Sequence, residues 1–309
     1  VVVSWYTSPR ARLRVRETTL LSITIPKGSL EEQTLFLFAQ ADIEIKKSSR
    51  AYNPTCSDPR VERVKILRPQ EIPVFVQDGY FDLGISGHDW IRESGADVVE
   101  IAELPYAKTG AGVVQMVLAV PQDSPVTSAR DIAPGSRITT EFPRTTKAFF
   151  DDLGIPVEVY FSYGATEAKV PEMMDALVDL TETGSTLRRN GLKVIDVILT
   201  STTRLVANRE SWADPVKRRE IEEVRTLLLG VIEARGRVLL SMNVPASKID
   251  TVVAVLPAMK RPTVNMLYGS EDFEVTTVAE KCLVNTLIPA LKAAGAEDIL
   301  EIPITKIVR

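Results

Sequence analysis

From Leu20 onward the chain alternates short apolar runs with longer stretches of helical spacing, and this pattern restricts its fold more than any other feature. "LLSITI" reads as a strand, and "PKGSLEEQTLFLFAQA" as a turn and a helix. "PVFVQDG" ends a helix, "DLGISG" is a buried strand and "VQMVLAV" another. "SRITTEF" followed by "RTTKAFFDDLGI" repeats the strand-then-helix theme, and "VEVYFSYG" adds a strand. Such alternation predicts an α/β architecture with mostly parallel sheets. Two sheet-forming regions, before and after about residue 118, predict two lobes around a cleft.

The segment 214–235 is the clearest helix. Asp214 is placed to cap it, Pro215 takes the favoured first position and Gly236 ends it. Ile221, Val224, Leu228, Val231 and Ile232 share one face. Beyond it come "RVLLSMNV", "PASKIDTVVAVL", "PTVNML", "FEVTTVA", "NTLIPALKAAGA" and "ILEIPITKIV", in the order strand, helix, strand, strand, helix, strand. That βαββαβ order predicts a separate ferredoxin-like C-terminal domain.

The totals exclude several classes. A chain of 309 residues with net charge −4 has no bulk electrostatic reason to bind nucleic acid or an anionic membrane. No apolar run reaches the roughly 18 residues of a membrane span. Cys56 and Cys282 match no metal or redox spacing, which suits a reducing cytoplasm. His88 is the sole histidine, so a His-rich metal site is impossible. Residues 1–19, with four arginines after an apolar start, have the wrong order for a secretory signal and read as a disordered leader.

Chemistry concentrates in "DALVDLTETGSTLRRNG", residues 175–191. A short apolar run leads into two acids, four hydroxyls and a glycine over residues 179–186. Backbone N–H groups of Thr183, Gly184, Ser185 and Thr186 can turn inward to hold a phosphate, and Gly184 lets the backbone approach it. Asp179 and Glu182 would repel phosphate, but carboxylates suit sugar hydroxyls or Mg²⁺. A cradle beside diol-binding acids describes a ribose 5-phosphate site; a Thr- and Ser-capped helix start with incidental acids is the equal alternative. Lys27 with Gly28, Arg50 and Arg68 recur at strand-to-helix turns, where α/β proteins bind polyphosphates. Arg144 and Lys147 follow "TEFP" in the same way. Glu141 and Glu167 are loop acids of the second lobe, fitting either a general base or a solvated surface. His88 beside Asp89 reads as a structural histidine.

"IPKGSLEE", "LRPQEIPVFVQDGYFDLGISGHDW", "TEFPRTTKAFF", "GATEAKVPEMMDALVDLTETGSTLRRNGL" and "ARGRVLLSMNVP…LPAMKRPTV" together resemble the long-form ATP phosphoribosyltransferases of histidine biosynthesis. The likeness covers the chain after residue 19. It implies a two-lobed catalytic core like a periplasmic binding protein, with lobe I at 20–117 and 200–232, lobe II at 118–199 and a regulatory domain at 233–309. It implies reaction of ATP, through adenine N1, with 5-phosphoribosyl 1-diphosphate in the presence of Mg²⁺. L-histidine as feedback inhibitor and a homo-oligomer, dimer and hexamer, are implied as well. Asp179, Glu182 and residues 183–186 are expected on the phosphoribosyl half, with Asp179 and Glu182 towards the metal. Lys27, Gly28, Arg50 and Arg68 are expected on polyphosphate. Asn243 and Thr263 are expected on the effector, although many relatives carry an acid where this chain has Ser241 and Asn243. Two other functions fit parts of the pattern: a non-catalytic two-lobed binding protein, and a phosphoribosyltransferase acting on another base.

Overall fold

The computed structural model describes residues 20–48, 53–106, 112–257 and 261–309; the leader expected at 1–19 and the candidate Arg50 lie outside them. The first lobe contains β1 (Leu21–Pro26), α1 (Glu31–Gln40), β2 (Ile45–Lys46), β3 (Thr55–Cys56), β4 (Val61–Leu67), α2 (Ile72–Gln77), β5 (Leu83–Gly87), α3 (His88–Ser94) and β6 (Val99–Leu104). β1 lies between β4 and β5, parallel to both. Its apolar residues alternate with Ser22 and Thr24: Leu21, Ile23 and Ile25 are fully buried, against Leu37 and Phe38 of α1.

The second lobe contains β7 (Val113–Pro121), β8 (Arg137–Thr140), α4 (Pro143–Leu153), β9 (Glu158–Phe161), β10 (Ala176–Thr181) and α5 (Ser185–Arg189). β8 runs parallel to β9 and β10, while β7 is antiparallel to β10. Its core packs Met116, Leu118, Phe142, Phe150 and Val178 together.

One strand joins the two. β11 (Leu192–Ala207) pairs with β7 from Leu192 to Thr202, and with β5 and β6 from Thr203 to Ala207. The hydrogen-bonded path is β4-β1-β5-β11-β7-β10-β8-β9, with β6 also on β11. The strand partners of β11 thus pass from β7 to β5 and β6 between Thr202 and Thr203. β11 has no clean alternation to read because its register shifts at Val194/Asp196 and Val197/Leu199. Each bulge reverses which face the following side chains take.

α6 (Arg209–Ala213) and α7 (Pro215–Ala234) return the chain to the first lobe. The Asp214 carboxylate accepts the N–H groups of Val216 and Lys217 at 2.8 and 3.3 Å, a cap worth about 1 kcal/mol. Ile221, Val224, Leu228 and Val231 bury their stripe in the core of the first lobe.

The remainder is β12 (Arg237–Val244), α8 (Ile249–Val255), β13 (Thr263–Met266), β14 (Phe273–Glu280), α9 (Val284–Ala294) and β15 (Glu297–Pro303). The sheet order is β13-β14-β12-β15, antiparallel throughout. Val238, Leu240, Met242 and Val244 of β12 pack against the helices and leave the odd-numbered residues on the open face. The expected architecture, a two-lobed α/β core followed by a βαββαβ module, is the one observed. Among the described residues no helix is long and apolar enough to cross a membrane.

Candidate active site

Parallel strands deliver their carboxyl ends to one edge, where α/β proteins place ligands. In the second lobe Val178 is in register with Thr140, and Thr140 with Phe161. The next residues along the three strands are Asp179, Glu141 and Ser162, so this edge collects them with the 162–169 loop. Asp179 accepts the Leu180 N–H at 2.7 Å and a hydrogen bond from Thr166. Burial pushes its carboxyl up to about 6, and the negative charges of Glu167 and Glu141 push the same way; the two hydrogen bonds hold it down. Glu141 reaches the loop itself: a Cβ on Gly164 would lie 3.9 Å from its Oε1. The loop is pinned by buried Ser162, which receives Lys169 Nζ and lies 3.1 Å from Thr166 Oγ1.

The 181–186 turn leaves this same edge. Thr181 Oγ1 accepts the Gly184 N–H at 2.8 Å, and Thr183 Oγ1 lies 3.4 Å from the Ser185 N–H. Gly184 has φ +68°, and a Cβ there would meet Arg188 Nη1 at 2.9 Å. Arg188 also donates to the Thr183 carbonyl at 2.9 Å, which adds a cation to the turn. Glu182, Thr183 and Thr186 are exposed. The turn is thus held in shape by its own hydroxyls, with two of the expected cradle N–H groups bonded to them.

Between the lobes lies a cavity of about 150 Å³. Ser29 and Pro69, just beyond β1 and β4, face Leu180 and Glu182 across it, and Asp89 and Ser201 complete the wall. Asp89 is 3% exposed, and burial raises its carboxyl. It accepts the Ser201 hydroxyl at 2.9 Å and the Trp90 N–H at 2.6 Å. Alternate residues of a strand point to opposite faces. Leu180 and Glu182 line this cavity, whereas Asp179 stands with Glu141 and Glu167. The two acids expected towards the metal thus have different neighbours, Asp179 on the side of Glu141 and Glu167 and Glu182 on the cavity between the lobes. Among the described residues no group of three His, Cys, Asp or Glu side chains could hold a metal ion.

The remaining candidates divide. Lys27, Gly28 and Arg68 follow β1 and β4 at the carboxyl edge of the first lobe; Gly28 has φ +98° and open space around it. Arg144 and Lys147 are engaged elsewhere, Arg144 on the Ser94 carbonyl and Lys147 on Asp151. His88 lies 3.3 Å from Glu100, a structural contact. On the open face of the C-terminal sheet, Asn243 donates to Asp298 at 3.0 Å and Ser241 to Glu274 at 2.8 Å. Thr263 is in register with Thr276, which itself faces Ser241, and lines a cavity of about 300 Å³ with Arg237 and Arg261.

Sequence reasoning missed Thr166, Lys169, Arg188 and the Asp89–Ser201 pair as parts of this region. The polar run "TSTT" at 200–203, inside a strand otherwise rich in Val, Leu and Ile, was the signal available for Ser201. Arg188 sits one helical turn from Gly184, within reach by spacing alone.

Comparison with known proteins covers most of the chain. The family model described as ATP phosphoribosyltransferase matches residues 68–230, and the one described as HisG, C-terminal domain, matches 234–306. The chain is 49% identical to an ATP phosphoribosyltransferase of Pelotomaculum thermopropionicum over 93% of its length and 99% of the relative's. It is 47% identical to the Desulforudis audaxviator protein of that name, again over 93% and 99%. Among solved structures, a chain of the ATP phosphoribosyl transferase (HisG:HisZ) complex from Thermotoga maritima superposes with a TM-score of 0.60 at 26% identity. That match covers 69% of this chain and 99% of the other.

Proposed function

This chain belongs to the ATP phosphoribosyltransferase family, and on that premise we propose that it condenses ATP with 5-phosphoribosyl 1-diphosphate to N1-(5-phosphoribosyl)-ATP and diphosphate. In this reading it catalyses the first step of histidine biosynthesis in the cytoplasm. The observation that carries the assignment is the shared edge of β8, β9 and β10, where Asp179, Glu141 and Glu167 stand beside the Gly184 turn.

The adenine N1 lone pair attacks the ribose C1, and the C1–oxygen bond breaks with its electrons leaving on diphosphate. Positive charge develops first on the sugar and then over N1, C6 and N6 of the purine. The Thr183–Thr186 turn is read as holding the 5-phosphate, its Thr181 and Thr183 hydroxyls yielding N–H groups to the ligand, with Arg188 adding charge. Asp179 is read as the acceptor for a ribose hydroxyl. Glu141 and Glu167 would stabilise the cationic purine and accept a proton from N6. Lys27 and Arg68 are assigned to polyphosphate from the facing lobe. Adenine N1 is a weak nucleophile, so alignment across the cleft supplies much of the rate.

Mg²⁺ is proposed to enter with the substrate's diphosphate, since such ions are commonly held by phosphates and one or two carboxylates rather than by a protein cage. It would neutralise charge on the leaving group. The C-terminal domain is read as the site of L-histidine inhibition through Asn243 and Thr263, with Glu274 and Asp298 nearby as carboxylates. A homo-oligomer, dimer and hexamer, is part of the same proposal.

The test is diphosphate release from ATP and 5-phosphoribosyl 1-diphosphate with Mg²⁺, with and without L-histidine, while following the phosphoribosylated nucleotide. ATP-dependent release is expected, suppressed by histidine. Binding without release would overturn the transferase reading, and release indifferent to histidine would overturn the regulatory one.

A further inference from the structure

The loop that follows β9 folds back on itself beside the carboxylates of the second lobe. Gly164 has φ +106° and Ala165 φ +49°, a left-handed region disfavoured for a residue that carries a Cβ. Such a turn persists only where its surroundings over-determine it. Here the surroundings include the loop's own side chains. Lys169 returns its ammonium to the start of the loop, onto Ser162 Oγ and, at 3.4 Å, the Gly164 carbonyl. Among the described residues this half-buried cation is bonded to those two oxygens and to no carboxylate. Ser162 and Thr166 are buried with their hydroxyl oxygens 3.1 Å apart, and Thr166 also bonds the Asp179 carboxylate.

The direction of these bonds follows from their lone pairs. A serine hydroxyl has one proton to give and two acceptor positions. Both acceptor positions of Ser162 are filled, one by Lys169 Nζ and one by the Gly164 N–H at 3.3 Å. Ser162 therefore cannot accept from Thr166, and its own proton goes to Thr166 Oγ1 or to the Gly164 carbonyl at 3.2 Å. The Thr166 proton is left for Asp179, which accepts only when ionised. We propose that Lys169 is a positioning residue for the transferase reaction: by occupying Ser162 it turns the Thr166 hydroxyl onto Asp179 and fixes the orientation in which that carboxylate meets the ribose. The proposal rests on the reading of Asp179 as acceptor for a ribose hydroxyl and adds the residue that orients it. Without the ammonium, Ser162 has a vacant acceptor position and competes with Asp179 for the Thr166 proton. Asp179 then keeps the Leu180 N–H and loses its second bond.

Initial rates of diphosphate release by the full chain test this, each substrate being varied at saturation of the other. Lys169→Met is expected to raise the KM for 5-phosphoribosyl 1-diphosphate about tenfold, the scale of one hydrogen bond to a charged group, with the KM for ATP nearly unchanged. Lys169→Arg keeps a cationic donor and is expected to restore most of the wild-type KM. Thr166→Val is expected to match Lys169→Met, and the double variant to be no worse than either, because both substitutions break one chain of bonds. An unchanged KM in Lys169→Met or Thr166→Val overturns the proposal, as do losses that multiply in the double variant. Lys169→Arg as impaired as Lys169→Met, or both KM values rising together, would make Lys169 a prop of the loop and overturn it too. Wild type, the two single variants and the double variant, unfolded in urea, read the link with no substrate present. Stability losses that fall short of additive are expected, and additive losses overturn it. A wild-type chain that releases no diphosphate sinks the transferase reading, while the urea comparison still decides the link from Lys169 to Thr166.

Discussion

Glu93, near the end of α3 in the first lobe, accepts the backbone N–H of Arg144 at 2.9 Å through one carboxylate oxygen, while the other accepts that of Thr145 at 2.8 Å. These are first-turn donors of α4 in the second lobe, and the residue before that helix, Phe142, offers no capping side chain. A capping role normally filled by the local sequence is thus performed across the lobe boundary. The Arg144 guanidinium returns the contact on the Ser94 carbonyl at 3.1 Å. The relative setting of the lobes, and hence the width of the cleft, is tied to this pair.

Glu93→Ala is predicted to cost about 1 kcal/mol of stability, as for loss of a helix cap. Glu93→Gln, which keeps an acceptor, should lose less. Urea midpoints of the three proteins are the measurement, and equal midpoints would refute the capping role.

Gly184→Val is predicted to abolish turnover in a chain that still folds. The glycine sits at φ +68°, where a β-branched residue is strained, and a Cβ would strike Arg188 at 2.9 Å. Far-ultraviolet circular dichroism should be unchanged while diphosphate release falls to background. Wild-type rates in this variant would remove the turn from the site.

Asp179 makes the activity pH-dependent with a definite sign. Its carboxyl, raised to about 6, must be ionised to accept a ribose hydroxyl without competition from its own proton. The kcat/KM for 5-phosphoribosyl 1-diphosphate should therefore fall as pH drops through about 6. Stability runs the other way. A carboxyl whose folded pKa is raised binds its proton more tightly when folded, so the wild type loses stability as pH rises from about 4 to about 6. Asp179→Asn carries no such charge. It should be the more stable protein at pH 8, the gap closing towards pH 4, while its turnover is lost. A gap independent of pH would contradict this account.

Thr166→Val removes a hydrogen bond that holds the Asp179 carboxyl down. The acidic limb of the rate profile should move to higher pH, with the alkaline side unchanged. An unmoved limb, or a move to lower pH, would detach Thr166 from Asp179.

Asn243→Ala and Thr263→Ala are predicted to weaken inhibition by L-histidine severalfold while leaving uninhibited rates at the wild-type level. Inhibition curves for the three proteins decide it, and coincident curves would exclude this face of the C-terminal sheet as the effector site.

Much of this molecule is local information. The alternation of β1, the short buried runs of β5 and β10, the Asp214–Pro215 start of α7 and the βαββαβ order after residue 236 follow from periodicity, capping and turn chemistry within a few residues. The residue types around Asp179 and Gly184 suit a ribose 5-phosphate turn and a capped helix start equally, and it is the resemblance they carry with the other quoted stretches that reaches the family. β11 escaped because two bulges break its alternation, so its faces are set by β7, β5 and β6 rather than by its own spacing. The pairing of Asp179 with Glu141 and Glu167 rather than Glu182 is decided by strand register, and the capping of α4 by Glu93 is decided by the meeting of two lobes. The sequence by itself determined which elements form and which chemistry they carry, because helix and strand signals act over a few residues. Only the tertiary structure decided which carboxylates share an environment and what faces them, because burial and Coulomb interaction depend on distance in space, and these groups are brought together by parallel strands whose order along the chain does not predict their neighbours.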